Sequence, residues 1–171
     1  IEHLLIGSEG TLGFISEITY HTVPEHPFKA TSLMLFPDVK AACEATTQLR
    51  SKPVAAVELM DRASLYSVES KSGMPHYLKN LEGSVAALLV ETRSETASKI
   101  EQQIEEIKRS LSGIPTVLPV FFTQDKKEYT QLWNIRKGLF PSIGAIRQVG
   151  TTVIIEDVAF PIEQLSQATL D

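Results

Sequence analysis

Ile100, Ile104, Ile107 and Leu111 follow one another at spacings of four, three and four, a stripe that an α-helix gathers on one face. Directly before it stands SVAALLVET, residues 84–92, an apolar run with the length of a buried strand. The same order recurs along the chain. Residues 30–36 read as a strand, and Pro37-Asp38 opens a helix with Val39, Ala42, Thr46 and Leu49 on one face. Residues 54–60 read as a strand, and Asp61 caps a short helix through Val68. Ser94 is the expected cap of the Ile100 helix, which Gly113 and Pro115 stop. Residues 116–123 then read as a strand in which Pro119 marks an edge or a bulge. Asp125 begins a helix to about Leu139, residues 151–158 form another strand, and Pro161 opens a last helix. SKSGMPHYLKNLEG, residues 70–83, reads as a loop. Residues 28–171 are thus expected to hold two β-α-β units and the start of a third. The fold class is α+β, ferredoxin-like in its repeat, with helices stacked on one face of the sheet.

Composition narrows the classes of function. Of 171 residues 43% are hydrophobic and 22% charged, an ordinary globular balance. A net charge of -5 speaks against a nucleic-acid groove or a polybasic membrane face. No apolar run reaches the eighteen or so residues of a bilayer span. Cys43 is the single cysteine, so no internal disulfide forms, and a reducing, cytoplasmic setting is the default. Peripheral attachment to an inner membrane and homo-oligomerisation are left open. The chain begins at Ile1 and ends at Asp171 inside a helix just begun, and it is expected to be a piece of a longer polypeptide.

Ahead of the repeat lies GSEGTLG, with glycines at positions 7, 10 and 13, followed by FISEITYHTV. Period-2 alternation makes residues 14–23 a strand closed by Pro24 and Pro27. The Rossmann fingerprint needs G-x-G-x-x-G before a helix, and the P-loop needs Gly-Lys-Ser/Thr; neither is present. The loop is either a tight turn that needs glycine for positive φ, or a nest of backbone N–H groups that a ligand approaches closely.

HLLIGSEGTLGFISEITYHTVP resembles the segment that closes the FAD-binding domain in flavoenzymes of the vanillyl-alcohol-oxidase type, in the D-lactate and D-2-hydroxyglutarate dehydrogenase branch. LWNIRKGLFP, the later GTT and IEDVAFP stretches, and VELMD are similar to that family's cap-domain pattern. The long GLFPSIGAIRQVGTTVIIEDVAFP form resembles the large bacterial members, which implies an iron–sulfur region outside this chain. The resemblance implies that residues 1–24 end an FAD-binding domain and residues 25–171 belong to the C-terminal cap. It implies that Gly7, Ser8, Glu9, Gly10, Thr11, Gly13 and Ile15 lie along FAD. It further implies that the parent oxidises a D-2-hydroxy acid, D-2-hydroxyglutarate or D-lactate, by hydride transfer to flavin, with an acceptor the sequence does not name. The isolated piece is expected to fold in its cap region without retaining FAD.

Arg136 matches by position the arginine that the family places after this tryptophan, and a guanidinium fork suits a carboxylate substrate. Its structural alternative is a surface ion pair with Glu128 or another acid. Some relatives carry a lysine where this chain has Ile154 and Ile155, and a hydroxyl residue where it has Phe140. Lys137 reads as solvent-facing, Glu58 as structural, and Glu156 and Asp157 as edge charges or caps. Trp133, Phe121 and Phe122 read as core. His3, His21, His26 and His76 have no metal-ligand spacing. In relatives a metal and the proton-accepting histidine come from a motif that would follow Asp171, so no catalytic residue is assigned within the chain. The competing readings are a regulatory module that binds a small molecule without flavin, and a dimerising scaffold. The first accounts for the repeat and leaves GSEGTLG unexplained, and Pro119 on a possible edge strand speaks against open pairing in the second.

Overall fold

The structure, a computed structural model, describes residues 1–70, 74–146, 148–151 and 160–170. At its centre is Ala86–Ser94 (β3), in which every residue but Arg93 is buried. A strand apolar on both faces has to lie between two others and under a layer on each side. Accordingly β1 (Phe28–Phe36) and β2 (Ala56–Met60) pair antiparallel with β3 on its two edges, in the order β1-β3-β2. α2 (Val39–Leu49) joins β1 to β2, α3 (Arg62–Val68) and a 3₁₀ turn (His76–Asn80) lead to β3, and α4 (Ala97–Ser110) follows it. α5 (Lys126–Ile146) then crosses the sheet. The result is a mixed α/β fold on a small antiparallel sheet.

The helices cover both faces, where the repeat leads one to expect a single covered face. Alternation along the strands explains the difference. Met34, Phe36, Leu88 and Val90 point to one side and pack with Ala42 and Leu49 of α2 and Ile100, Ile104 and Ile107 of α4. Leu35, Ala87 and Leu89 point to the other and pack with Leu65 and Val68 of α3 and Ile135 and Leu139 of α5. Leu78, inside the expected loop, is fully buried in this second core. Cys43 is buried on α2, and that burial pushes its thiol above its ordinary pKa.

Asp38 and Asp61 cap α2 and α3 as their positions indicate, each accepting a backbone N–H at 2.8 Å. Such a cap contributes about 1 kcal/mol. The cap of α4 is Thr96, which accepts from the Lys99 N–H at 3.2 Å, and not Ser94. Ser94 is still in β3, paired with Phe28, and its hydroxyl donates to the Thr96 carbonyl. α5 also runs past Leu139 and through Pro141, whose fixed φ is itself helical. After Pro161 a 3₁₀ turn (Ile162–Gln164) leads into α6 (Leu165–Leu170), which rests on α2, with Arg50 paired to Glu163.

Two expected strands are not formed. Residues 14–23 carry no ladder, and Phe14, Ile15, Ile18, Tyr20 and Val23 are exposed. An alternating sequence becomes a strand only where another edge accepts it, and none among the described residues does. Residues 116–123 touch the free edge of β1 at two places only, Val117 N–H to the Leu35 carbonyl and a reciprocal Thr31–Thr123 pair. Pro119 lies between them and has no N–H to donate. Residues 152–158 of the expected last strand, with Ile154, Ile155, Glu156 and Asp157, lie outside the described residues. Ahead of the glycine turn, Glu2–Leu5 forms a short helix (α1).

One buried hydroxyl in the first core, Ser32 Oγ, has no partner among the described residues. An unpaired buried polar group costs roughly 1 kcal/mol or more. Ser32→Ala is therefore expected to stabilise the domain by about 1 kcal/mol, read as a higher urea midpoint at unchanged slope.

Candidate functional site

Five residues of α5 determine what the second face of the sheet can do. Leu132, Ile135 and Leu139, at helical spacing, seat the helix on that face. Trp133 and Arg136 follow each other by one turn on its flank. Beneath them the register places Thr31, Glu91 and Ala56 in one row across the sheet, and Leu33, Leu89 and Glu58 in the next. Trp133 Nε1 donates to Glu91 at 2.6 Å, and Arg136 Nε donates to Glu58 at 2.9 Å. At the start of the helix the Thr123 hydroxyl donates to Glu128. α5 is thus tied by polar contacts at the β1 edge, over β3 and over β2.

Glu91 is the group that sequence reasoning misses. Its carboxylate is only 3% exposed and accepts from Trp133, from Arg93 Nε at 2.6 Å and from Thr31 Oγ1 at 3.2 Å. A charge buried this deeply is tolerated because three donors replace its water. The signal is present as a lone acid inside the apolar run AALLVETRS, one strand period from Leu89. Trp133 belongs to the core by its ring and to this carboxylate by its N–H. Phe122 is buried as expected, whereas Phe121 is 72% exposed.

Arg136 is paired, but with Glu58 of β2 and not with Glu128, which the Thr123 hydroxyl engages. Both side chains remain reachable, at 45% and 37% exposure. The single bond uses Nε; among the described residues neither Nη group has a partner. The structural reading of Glu58 and a ligand role for Arg136 are therefore compatible in one geometry. Lys137 is exposed and joins Lys29, Arg93, Tyr129 and Trp133 around a recess of about 280 Å³ beside Glu91. Lys29 is paired with Glu25 and Arg93 with Glu91, so the recess has a surplus of one cation. The hydrogen bond and charge of Lys29 hold the Glu25 carboxyl below its ordinary pKa.

The glycine turn stands apart from α5. Ser8–Thr11 closes with Thr11 N–H to the Ser8 carbonyl at 2.9 Å, backed by the Thr11 hydroxyl on the same oxygen at 2.6 Å. Glu9 and Gly10, its central residues, both have positive φ, 49° and 80°, the sign pattern of a type I′ turn. Gly7 is also left-handed, at 81°. Among the described residues, a Cβ at Gly7 or Gly10 would meet no heavy atom within 4 Å beyond its chain neighbours, so here the glycines serve backbone conformation. The same openness lets a flat group from outside lie close to the backbone. In that respect Gly7, Ser8, Glu9, Gly10 and Thr11 fit the flank of a dinucleotide. Gly13 and Ile15 follow in a segment without regular secondary structure.

Among the described residues no helix is long and apolar enough to cross a membrane, and no three His, Cys, Asp or Glu side chains gather as metal ligands.

The chain is 27% identical over 172 residues to the glycolate oxidase subunit GlcD of Bacillus subtilis, covering 97% of this chain and 34% of that protein. It is 28% identical over 172 residues to the mitochondrial D-lactate dehydrogenase (cytochrome) of Arabidopsis thaliana, covering 98% of this chain and 28% of that protein. A D-lactate dehydrogenase of Anaerostipes hadrus is 28% identical over 174 residues, with 96% and 35% covered. The chain spans about a third of the length of the curated relatives it matches. Residues 25–170 match the family model described as FAD linked oxidases, C-terminal domain. By that match, which takes in the sheet, both helical layers and the Glu58–Arg136 pair, the chain belongs to the FAD linked oxidases through their C-terminal domain.

Proposed function

We infer that the full-length protein containing this chain is an FAD-dependent oxidoreductase that oxidises a D-2-hydroxy acid, D-lactate or D-2-hydroxyglutarate. Residues 25–171 act as the domain that covers the substrate, and residues 1–24 as the end of the FAD-binding domain. The observation that carries this reading is Arg136, reachable from solvent with its two Nη groups unengaged among the described residues. A planar fork of N–H donors is the shape that a carboxylate matches with two parallel hydrogen bonds. Glycolate and D-lactate, the compounds in the relatives' names, share a carboxylate beside a hydroxyl-bearing carbon.

In this mechanism FAD, when bound, supplies the hydride acceptor. The chain's own part is orientation. Arg136 holds the carboxylate and so limits which face of C2 the substrate presents. The open turn at Gly7 and Gly10 receives the cofactor's flank. The hydroxyl proton would go to a histidine that the family resemblance places outside this chain.

Ferredoxin-like interleaving supports the domain assignment. We read β1-α2-β2 and β3-α4-(116–123) as two half-repeats, a reading supported by β3 lying between β1 and β2 and by residues 116–123 touching the outer edge of β1. The exposed apolar side chains of residues 14–23 support a sheet elsewhere in the protein as their partner.

Anaerobic flavin bleaching in the full-length protein tests the reading, with D-lactate, L-lactate, D-2-hydroxyglutarate and glycolate offered in turn. Bleaching by one D-acid and not by L-lactate is the expected result. Bound flavin that no 2-hydroxy acid reduces would remove the substrate class and keep the family. A full-length protein without flavin would return the chain to the regulatory-module reading.

A further inference from the structure

We propose that Glu58 is the positioning residue for Arg136: it takes the Nε–H and holds the guanidinium plane so that the two Nη groups are presented together to a substrate carboxylate. The inference rests on the clamp role given to Arg136 above and assigns to a second residue the task of setting its geometry.

Three observations carry it. Glu58 is an acid in the middle of AVELM, on the side of β2 that Met60 buries in the second core. Ala, Val, Leu and Met neighbours give it no local polar partner, and among the described residues its one side-chain hydrogen bond reaches 78 residues along the chain to Arg136. A fully solvated acid would need no such partner. Second, the bond is to Nε, at 2.9 Å. A carboxylate that engaged the Nη1–Nη2 end would compete with substrate; one on the Nε side leaves that end available. Third, both ends of the contact are on rigid elements. Glu58 is paired with the buried Leu89 of β3, and Arg136 sits beside Ile135, which is 0% exposed on α5. One turn earlier, Trp133 is tied to Glu91, which opposes rotation of α5 that would move Arg136 away. The bond favours one orientation of a flexible arginine side chain before substrate arrives, so part of the ordering cost is met in folding.

The arrangement also has a cost in charge. The Glu58 carboxylate lies close to where a substrate carboxylate would bind, and like charges repel. A neutral acceptor in its place retains the hydrogen bond and removes the repulsion. The two contributions can therefore be separated by Glu58→Ala and Glu58→Gln.

The test uses the full-length flavoprotein and steady-state kinetics with the acid that bleaches the flavin. Glu58→Ala is expected to raise KM about tenfold while kcat changes less than about threefold, as expected for an interaction equal in ground and transition states. Glu58→Gln is expected to restore KM to within about threefold of the parent. On an Arg136→Ala background, Glu58→Ala should have no further effect, because a residue that acts through another has nothing left to position. Flavin content and the urea midpoint of each variant distinguish this from general loss of structure. If Glu58→Ala leaves KM unchanged or lowers it, Glu58 does not position the arginine, and the clamp survives. The positioning role is equally overturned if Glu58→Ala raises KM by the same factor on both backgrounds. If Arg136→Ala itself leaves KM unchanged, clamp and positioning fall together, which separates failure of the functional reading from failure of this inference.

Discussion

Arg136→Ala in the full-length protein is expected to lower kcat/KM for its 2-hydroxy acid by roughly a hundredfold, almost all of it in KM. The magnitude comes from the two charge-assisted hydrogen bonds that the Nη groups can make. Hydrogen bonds to charged partners contribute about 1.5–3 kcal/mol each, and losing about 3 kcal/mol corresponds to roughly two decades. The carboxylate is not the reacting group, so its contacts are the same before and during oxidation of C2. Loss of such uniform binding appears in KM and spares kcat. Arg136→Lys retains the charge but presents a point donor in place of a fork, and should fall between the two. Steady-state kinetics with parent and variants decides the matter. A change confined to kcat would mean that Arg136 acts on the chemical step and not on the carboxylate.

Glu91→Ala is expected to be the most damaging single change in the polar layer, costing about 3 kcal/mol of stability. Removing the carboxylate leaves the Trp133 N–H and the Thr31 hydroxyl without acceptor in a buried setting. It also takes the partner from Arg93, which is 39% exposed and can turn to water, so that part of the loss is small. Breaking a buried, hydrogen-bonded charge costs about 3–5 kcal/mol, and the solvated arginine places Glu91 at the low end. That is a large share of a domain's usual range of about 5–15 kcal/mol. Glu91→Gln keeps one acceptor oxygen and should lose about half as much. Urea unfolding followed by Trp133 fluorescence measures both effects, since Trp133 is the only tryptophan and touches the altered group. If Glu91→Ala unfolds at the parent's midpoint, the buried network contributes nothing net.

The residues behind these two expectations differ in how legible they are along the chain. Arg136 stands out in LWNIRKGLFP, because an arginine one turn past a tryptophan matches a known pattern. Glu58 and Glu91 are each visible as an acid in an apolar strand, yet their partners are not. Arg136 lies 78 residues from Glu58, and Trp133 lies 42 from Glu91. Local periodicity carries no information about pairs so far apart.

Element type is legible where the cause is local. Asp38 and Asp61 announce helix starts through short side chains that bond their own backbone. Ile100, Ile104 and Ile107 announce a helix through spacing, and Ala86 to Val90 a buried strand through length. Gly7 and Gly10 carry their left-handed turn within the residues themselves. What depends on distant partners is decided only in three dimensions. Residues 14–23 alternate as a strand should, but an edge must exist before alternation becomes pairing. Residues 116–123 reach the edge of β1 and are held off it by one missing N–H at Pro119. The second helical layer follows from β3 being apolar on both sides, a fact written in its sequence whose consequence emerges only when both faces must be covered. The orientation of Arg136 belongs to the same class, because it is set by a carboxylate that the sheet register, and not the local chain, places beneath it.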